Sequence, residues 1–269
     1  MSDRGSDSGM GIPGTLLFFG LPAALMALGV RLLVPLAESW GWPLIVSYPL
    51  FLWLPIVLLV VGVVAVQRHA EARAAGSRQR QAFGPRFRFR RLTRREWLVT
   101  GVGFLAVQAF ELMLAPTRPW LARLRIAGEW QPFAPPPGTP DLFDPFFDLE
   151  GGLETFFGVP LEGNWWILAF WAGWLIVNIG GEELLWRGYA LPLQERVFGH
   201  HAWLINGLSW NLLVHAFMPW SYLTLLPISL IVPYLVQRQQ NTWIGVIIHG
   251  LGNLLVLALM IPGIAGSRR

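Results

Sequence analysis

Glu182 and Glu183 stand side by side in Gly180-Gly181-Glu182-Glu183-Leu184-Leu185-Trp186-Arg187-Gly188, at the end of a stretch that begins Trp165-Trp166-Ile167-Leu168-Ala169-Phe170-Trp171. Two adjacent carboxylates are costly to leave in lipid, and ionisable residues at membrane depth usually face a bundle interior or a water-filled cavity and mark a functional site. Three more polar residues lie in apolar surroundings further along. His215 follows Leu212-Leu213-Val214, and His249 and Asn253 lie in Ile247-Ile248-His249-Gly250-Leu251-Gly252-Asn253. A separation of four puts His249 and Asn253 on one helical face, one turn apart. Carboxylate, imidazole and amide together could activate water and stabilise an oxyanion. The same groups could relay protons across a membrane. Glu182, His215 and His249 could also hold zinc with an open fourth position, although no His-Glu-x-x-His spacing is present.

Such residues need elements to carry them, and composition says what those are. Of 269 residues 54% are hydrophobic and 13% charged, with a mean hydropathy of +0.49. Runs of about 20 apolar residues read as membrane-spanning helices. They fall near 13–36, 43–66, 97–116, 165–181, 202–218, 221–236 and 243–262. The expectation is an all-α, polytopic transmembrane helix bundle of about 7–8 spans in the cell membrane, a multi-pass protein in contact with the lipid bilayer. The fourth and sixth runs are short, so one could be re-entrant or continue as helix beyond its apolar part. The first run lacks a small-x-small cleavage site and is too long for a signal peptide. The chain contains no cysteine, which excludes disulfides, thiolate metal sites and cysteine nucleophiles.

Charge sets an orientation. Every basic residue is arginine, and ten of the twenty lie between Arg68 and Arg95. An arginine-rich short loop stays cytoplasmic. The segment 117–163 then lies outside, with seven acids against three arginines. Arg196 and Arg238 fall inside, and Arg268-Arg269 fall outside on a seven-span count, the one discordant position. Pro85-Arg86-Phe87-Arg88-Phe89-Arg90-Arg91 interleaves aromatics with cations as single-stranded nucleic-acid binders do. A topological signal resting on anionic headgroups explains it better, and no nucleic-acid partner is expected. The segment 117–163 is rich in Pro and Phe, cannot be helical throughout, and suggests interfacial contact without chemistry of its own.

Depth brings the polar residues together. Glu182 precedes Arg196 by 14 residues and His215 follows His201 by 14. At 1.5 Å per residue both lie about 21 Å in. His249 lies about 16 Å in, counted from Arg238, with Asn253 one turn deeper. Each feature has a bland explanation. A lone histidine is commonly a satisfied core residue, Glu183 and Arg187 could be a buried ion pair fixing register, and His-x-x-x-Asn could be interhelical glue. All three at one level are harder to explain by packing alone.

Glu182-Glu183-x-x-x-Arg187, then His215, then His249-x-x-x-Asn253 preceded by Asn241-Thr242-Trp243, resemble the CAAX protease and bacteriocin-processing family (CPBP or Abi), relatives of the type II CAAX-prenyl endopeptidase. The resemblance covers roughly 164–262. It leaves 1–163 as N-terminal helices with a basic cytoplasmic and a Pro/Phe-rich external loop, and 263–269 as a tail. It implies an intramembrane endopeptidase that hydrolyses a peptide bond of a membrane-associated protein or peptide. Glu182 with His215 would activate water, His249 and Asn253 would stabilise the oxyanion, and Glu183 and Arg187 would orient the site. Members are often labelled metalloproteases, so zinc on Glu182, His215 and His249 is possible and no cofactor is certain. The family's second motif is typically Phe-x-x-x-His, whereas Asn211 stands four before His215, with Trp210 beside it. The other classes that fit are a transporter or channel with a Glu/His proton relay, and a catalytically silent peptide-binding scaffold.

Overall fold

The protein, described by a computed structural model over residues 9–73, 83–136, 138–147 and 153–266, is an all-α polytopic bundle. Among these residues five helical stretches are long and apolar enough to cross a membrane: Ile12–Ser39, Leu44–His69, Arg94–Leu114, Trp166–Val214 and Trp243–Ile264. Together they make the chain an integral membrane protein. Residues 74–82 of the arginine-rich stretch and the terminal Arg268 and Arg269 lie outside the described residues, so the discordant C-terminal position stands as it was.

We number the helices α1 (Ile12–Ser39), α2 (Leu44–Arg73), α3 (Arg94–Leu114), α4 (166–198), α5 (202–214), α6 (Leu226–Gln239) and α7 (Trp243–Ile264). Local sequence sets several boundaries. Thr93 and Glu96 form a reciprocal capping box at the start of α3. Gly199 adopts a positive φ of 55°, which ends α4, and a short turn sends α5 back along it. The 202–218 and 221–236 runs, expected as spans, are shorter as helices. α5 stops at Val214, Pro219 starts a short turn in the link, and α6, with Pro227 in its first turn, has 14 residues. The fourth run goes the other way and continues as helix past its apolar part to Phe198.

Two stretches inside these helices are wound as π-helix, Glu183–Ala190 in α4 and Trp210–Val214 in α5. Wide turns of this kind occur frequently at functional sites. A third, Gly29–Leu33, lies in α1. Phe19 of α1 stacks on Trp186 of the α4 wide turn with ring centroids 4.4 Å apart. α7 packs against α3, α4 and α6 and leaves its other face exposed.

The two ends of the bundle differ. At the arginine-rich end Arg88 makes a bidentate pair with Glu195, and Arg90 pairs with Glu96 and donates to the Gln239 carbonyl. Asn241 donates to the Arg90 carbonyl and Thr242 to that of Phe87. That end is closed by the chain itself. At the other end the 117–163 segment folds back over the helices. Its two short strands, Thr155–Phe156 and Val159–Pro160, pair antiparallel around Phe157-Gly158, both at positive φ as a tight hairpin turn requires. Phe156 and Phe157 pack on Trp171 at 4.9 and 5.2 Å, and Phe143 stacks on Tyr48. Phe156 and Phe157 are therefore buried and Phe143 is half-buried, whereas Phe146 stays 45% exposed.

Candidate active site

Glu182, at the junction of ordinary and wide winding in α4, is 4% exposed, and its Oε2 accepts a 2.6 Å hydrogen bond from Trp210 Nε1. Trp210 opens the wide turn of α5. Its ring lies edge-on to His215 at 4.3 Å and to His249 at 5.6 Å. One indole thus touches a carboxylate and two imidazoles supplied by three helices. The Trp210 carbonyl takes part as well, 3.1 Å from His215 Nδ1. A carbonyl can only accept, so Nδ1 carries the proton and Nε2 keeps its lone pair.

Glu183 points the other way and is fully buried. Its Oε1 lies 3.1 Å from His249 Nδ1 and 3.5 Å from an Arg187 nitrogen. Arg187, also fully buried, finds no hydrogen-bond acceptor. Its guanidinium sits over the Trp210 ring, 4.6 Å from the centroid. The pair therefore supports two site members at once: Glu183 fixes the His249 ring and Arg187 backs Trp210. Asn253 donates one Nδ2 hydrogen to the His249 carbonyl and keeps its second.

Glu182, His215, His249 and Asn253 all line a single cavity of about 380 Å³. Its other walls include α2 (Leu52, Trp53), α3 (Gln108, Glu111), Asn178 of α4, Arg118 and Phe143. Depth alone suggests a cavity facing the arginine-rich side. The walls run instead towards the end covered by the 117–163 segment, because the arginine-rich end is sealed by the Arg88, Arg90 and Asn241 contacts.

The zinc set does not assemble. Among the described residues no three His, Cys, Asp or Glu side chains converge closely enough to hold one ion. The Trp210 indole, in contact with Glu182, His215 and His249, fills the space between them.

Trp210 is the functional residue that motif reading misses, since the familiar aromatic position is held by Asn211. Asn211 donates to the Tyr222 carbonyl and does not line the cavity, so it braces the α5–α6 link. The wide turn moves the aromatic one residue back. Among the glycines beside the motif residues, Gly181 meets Val60 and Ile56 of α2, and Gly252 lies against Gln108. Gly180 and Gly250 face open space. Gly245, which no motif singles out, is tight beside the site: a methyl group there would collide with Glu183 Oε2.

Residues 164–255, about a third of the chain, match the family described as Type II CAAX prenyl endopeptidase Rce1-like. No curated protein and no solved structure matches the chain. The matched stretch begins just before α4 and ends two residues past Asn253, so every side chain of the site falls within it. Glu182, His215, His249 and Asn253 thus all lie in a domain that matches the Rce1-like family, consistent with the CPBP family and indicating a peptidase.

Proposed function

We propose that the protein is an intramembrane endopeptidase in which Glu182 and His215 activate a water and His249 and Asn253 stabilise the resulting oxyanion. Its substrate is a membrane-associated protein or peptide whose scissile segment enters from the face opposite the arginine-rich stretch. The observation that carries this reading is the shared cavity: the four side chains, from three helices, border one space at mid-bundle.

Each step has a donor and an acceptor. The Glu182 carboxylate takes a proton from water while His215 Nε2 accepts the other O–H, and the oxygen attacks the peptide carbonyl carbon. Charge then develops on the carbonyl oxygen. His249, with Nδ1 held by Glu183, presents Nε2 to the cavity, and with a proton there it donates to that oxygen beside the free Nδ2 hydrogen of Asn253. The proton gathered by Glu182 passes to the leaving nitrogen as the C–N bond breaks. Trp210 Nε1–H holds Glu182 facing the reaction, and the apolar walls keep bulk water from diluting these charges.

Purified, reconstituted Glu182→Gln protein should lose cleavage by about 10²–10⁴-fold, the usual contribution of a general base, while keeping its thermal unfolding profile. Cleavage by the unsubstituted protein should persist in a strong chelator. Full cleavage by Glu182→Gln would overturn the assignment of the base. Tight peptide binding with no cleavage by the unsubstituted protein would point to the silent scaffold instead.

A further inference from the structure

Glu111 is a carboxylate the reaction does not use. It stands at the level of a membrane span, where an idle charge is costly, and it lines the same cavity as Glu182. Its Oε2 accepts a 3.2 Å hydrogen bond from Gln108 Nε2, one turn back on α3. Gln108 lies beside α7, where a methyl on Gly252 would sit 3.6 Å from its Nε2. Gly252 lies between His249 and Asn253 in sequence, so the Gln108–Glu111 pair stands beside the oxyanion donors. Glu111 also lies near enough to His249 to interact with it electrostatically.

The rest of the cavity asks for donors. Asn178, one turn before Glu182 on α4 and 8% exposed, lines it with an Oδ1 that has no partner. Arg118, also on its walls, gives an NH2 to the Phe143 carbonyl and feels Asp144 nearby, while its Nε has no partner. Thr224 spends its hydroxyl on the Ser221 carbonyl. Glu111 and Asn178 thus bring acceptor oxygens to the same space. The 117–163 segment that covers this end carries seven acids against three arginines, a field that draws cations towards the opening.

We propose that Glu111, held by Gln108, binds a cationic side chain, lysine or arginine, next to the scissile bond of the substrate. The ammonium or guanidinium would donate to Glu111, and a χ2 rotation of Asn178 would let its oxygen accept from the same segment. This rests on the peptidase reading for its word scissile, and on the cavity alone for the site.

The test uses the full chain in lipid and acylated peptides that differ only by Lys, norleucine or Glu, stepped through the positions flanking the cleaved bond. At one position Lys should exceed Glu in kcat/KM by about tenfold to a hundredfold, the range of a charge-assisted hydrogen bond, with the difference in KM. The ratio should fall to near one in Glu111→Gln and invert in Glu111→Arg. A Lys/Glu ratio that survives Glu111→Gln, or the lack of any preferred position, overturns the proposal. Should no peptide be cleaved, binding to the Glu182→Gln protein gives the same ratio. Its loss on adding Glu111→Gln supports the cationic subsite while the peptidase reading fails, and its persistence overturns the subsite. Should Glu111→Arg not fold, Glu111→Gln decides.

Discussion

Two of the arginine–glutamate pairs in this bundle stand in opposite circumstances. Arg88 and Glu195, at the arginine-rich end, form two hydrogen bonds of 2.7 and 2.8 Å, with side chains 17% and 19% exposed. Arg187 and Glu183, at mid-bundle, are fully buried, 3.5 Å apart, and the guanidinium has no hydrogen bond. The outer pair has the geometry of a fastener. The inner pair is spread across neighbours, Glu183 on His249 and Arg187 on Trp210, and its attraction is divided accordingly. Desolvation makes such an inner pair a poor source of net stability, so its retention is better explained by what it positions. Ion pairs of one composition can thus close a protein at one level and tune it at another.

The sharpest way to break the contrast is Arg187→Ala. It leaves Glu183 buried without its cation and should destabilise the fold by about 3–5 kcal/mol, read as lost yield and a lower unfolding temperature. Restoration of stability by a second change, Glu183→Gln, would show that the uncompensated charge was the cause.

A smaller effect is expected for Gly245→Ala. The new methyl meets Glu183 Oε2 and should cost about 1–3 kcal/mol of overpacking. It should also lower kcat in the protein that remains folded, because Glu183 is pushed from His249. An unchanged kcat would mean that Glu183 does not orient the ring.

The smallest effect belongs to the outer pair. Arg88→Ala should cost about 1 kcal/mol or less and leave kcat of the folded protein unchanged. A large fall in kcat there would join the two regions that the structure keeps apart.

Apolar run length made the long helices legible, and α1, α2, α3, α4 and α7 stand where hydropathy puts them. The motif residues were legible too, because Glu182, His215, His249 and Asn253 are ionisable or polar in places where lipid allows neither. Trp210 was hidden by its own chemistry: a tryptophan in an apolar run carries no mark of the carboxylate it will meet. The closed arginine-rich end depends on contacts such as Arg88 with Glu195, 107 residues apart, which no local pattern encodes. Gln108 and Glu111 read as ordinary polar residues near a helix end, and only the cavity gives them a common purpose.

The wide turns at Glu183–Ala190 and Trp210–Val214 make these stretches sensitive to counting. An α-helix advances about 100° per residue, so losing one codon between Glu183 and Ala190 would let the helix rewind and swing one half against the other by roughly that angle. Every reactive side chain would still be encoded, yet Glu182 would no longer look at Trp210. Genetic change by exchange and genetic change by shortening therefore probe different things here. The first interrogates the chemistry of each side chain, and the second the phase that lets them share one space.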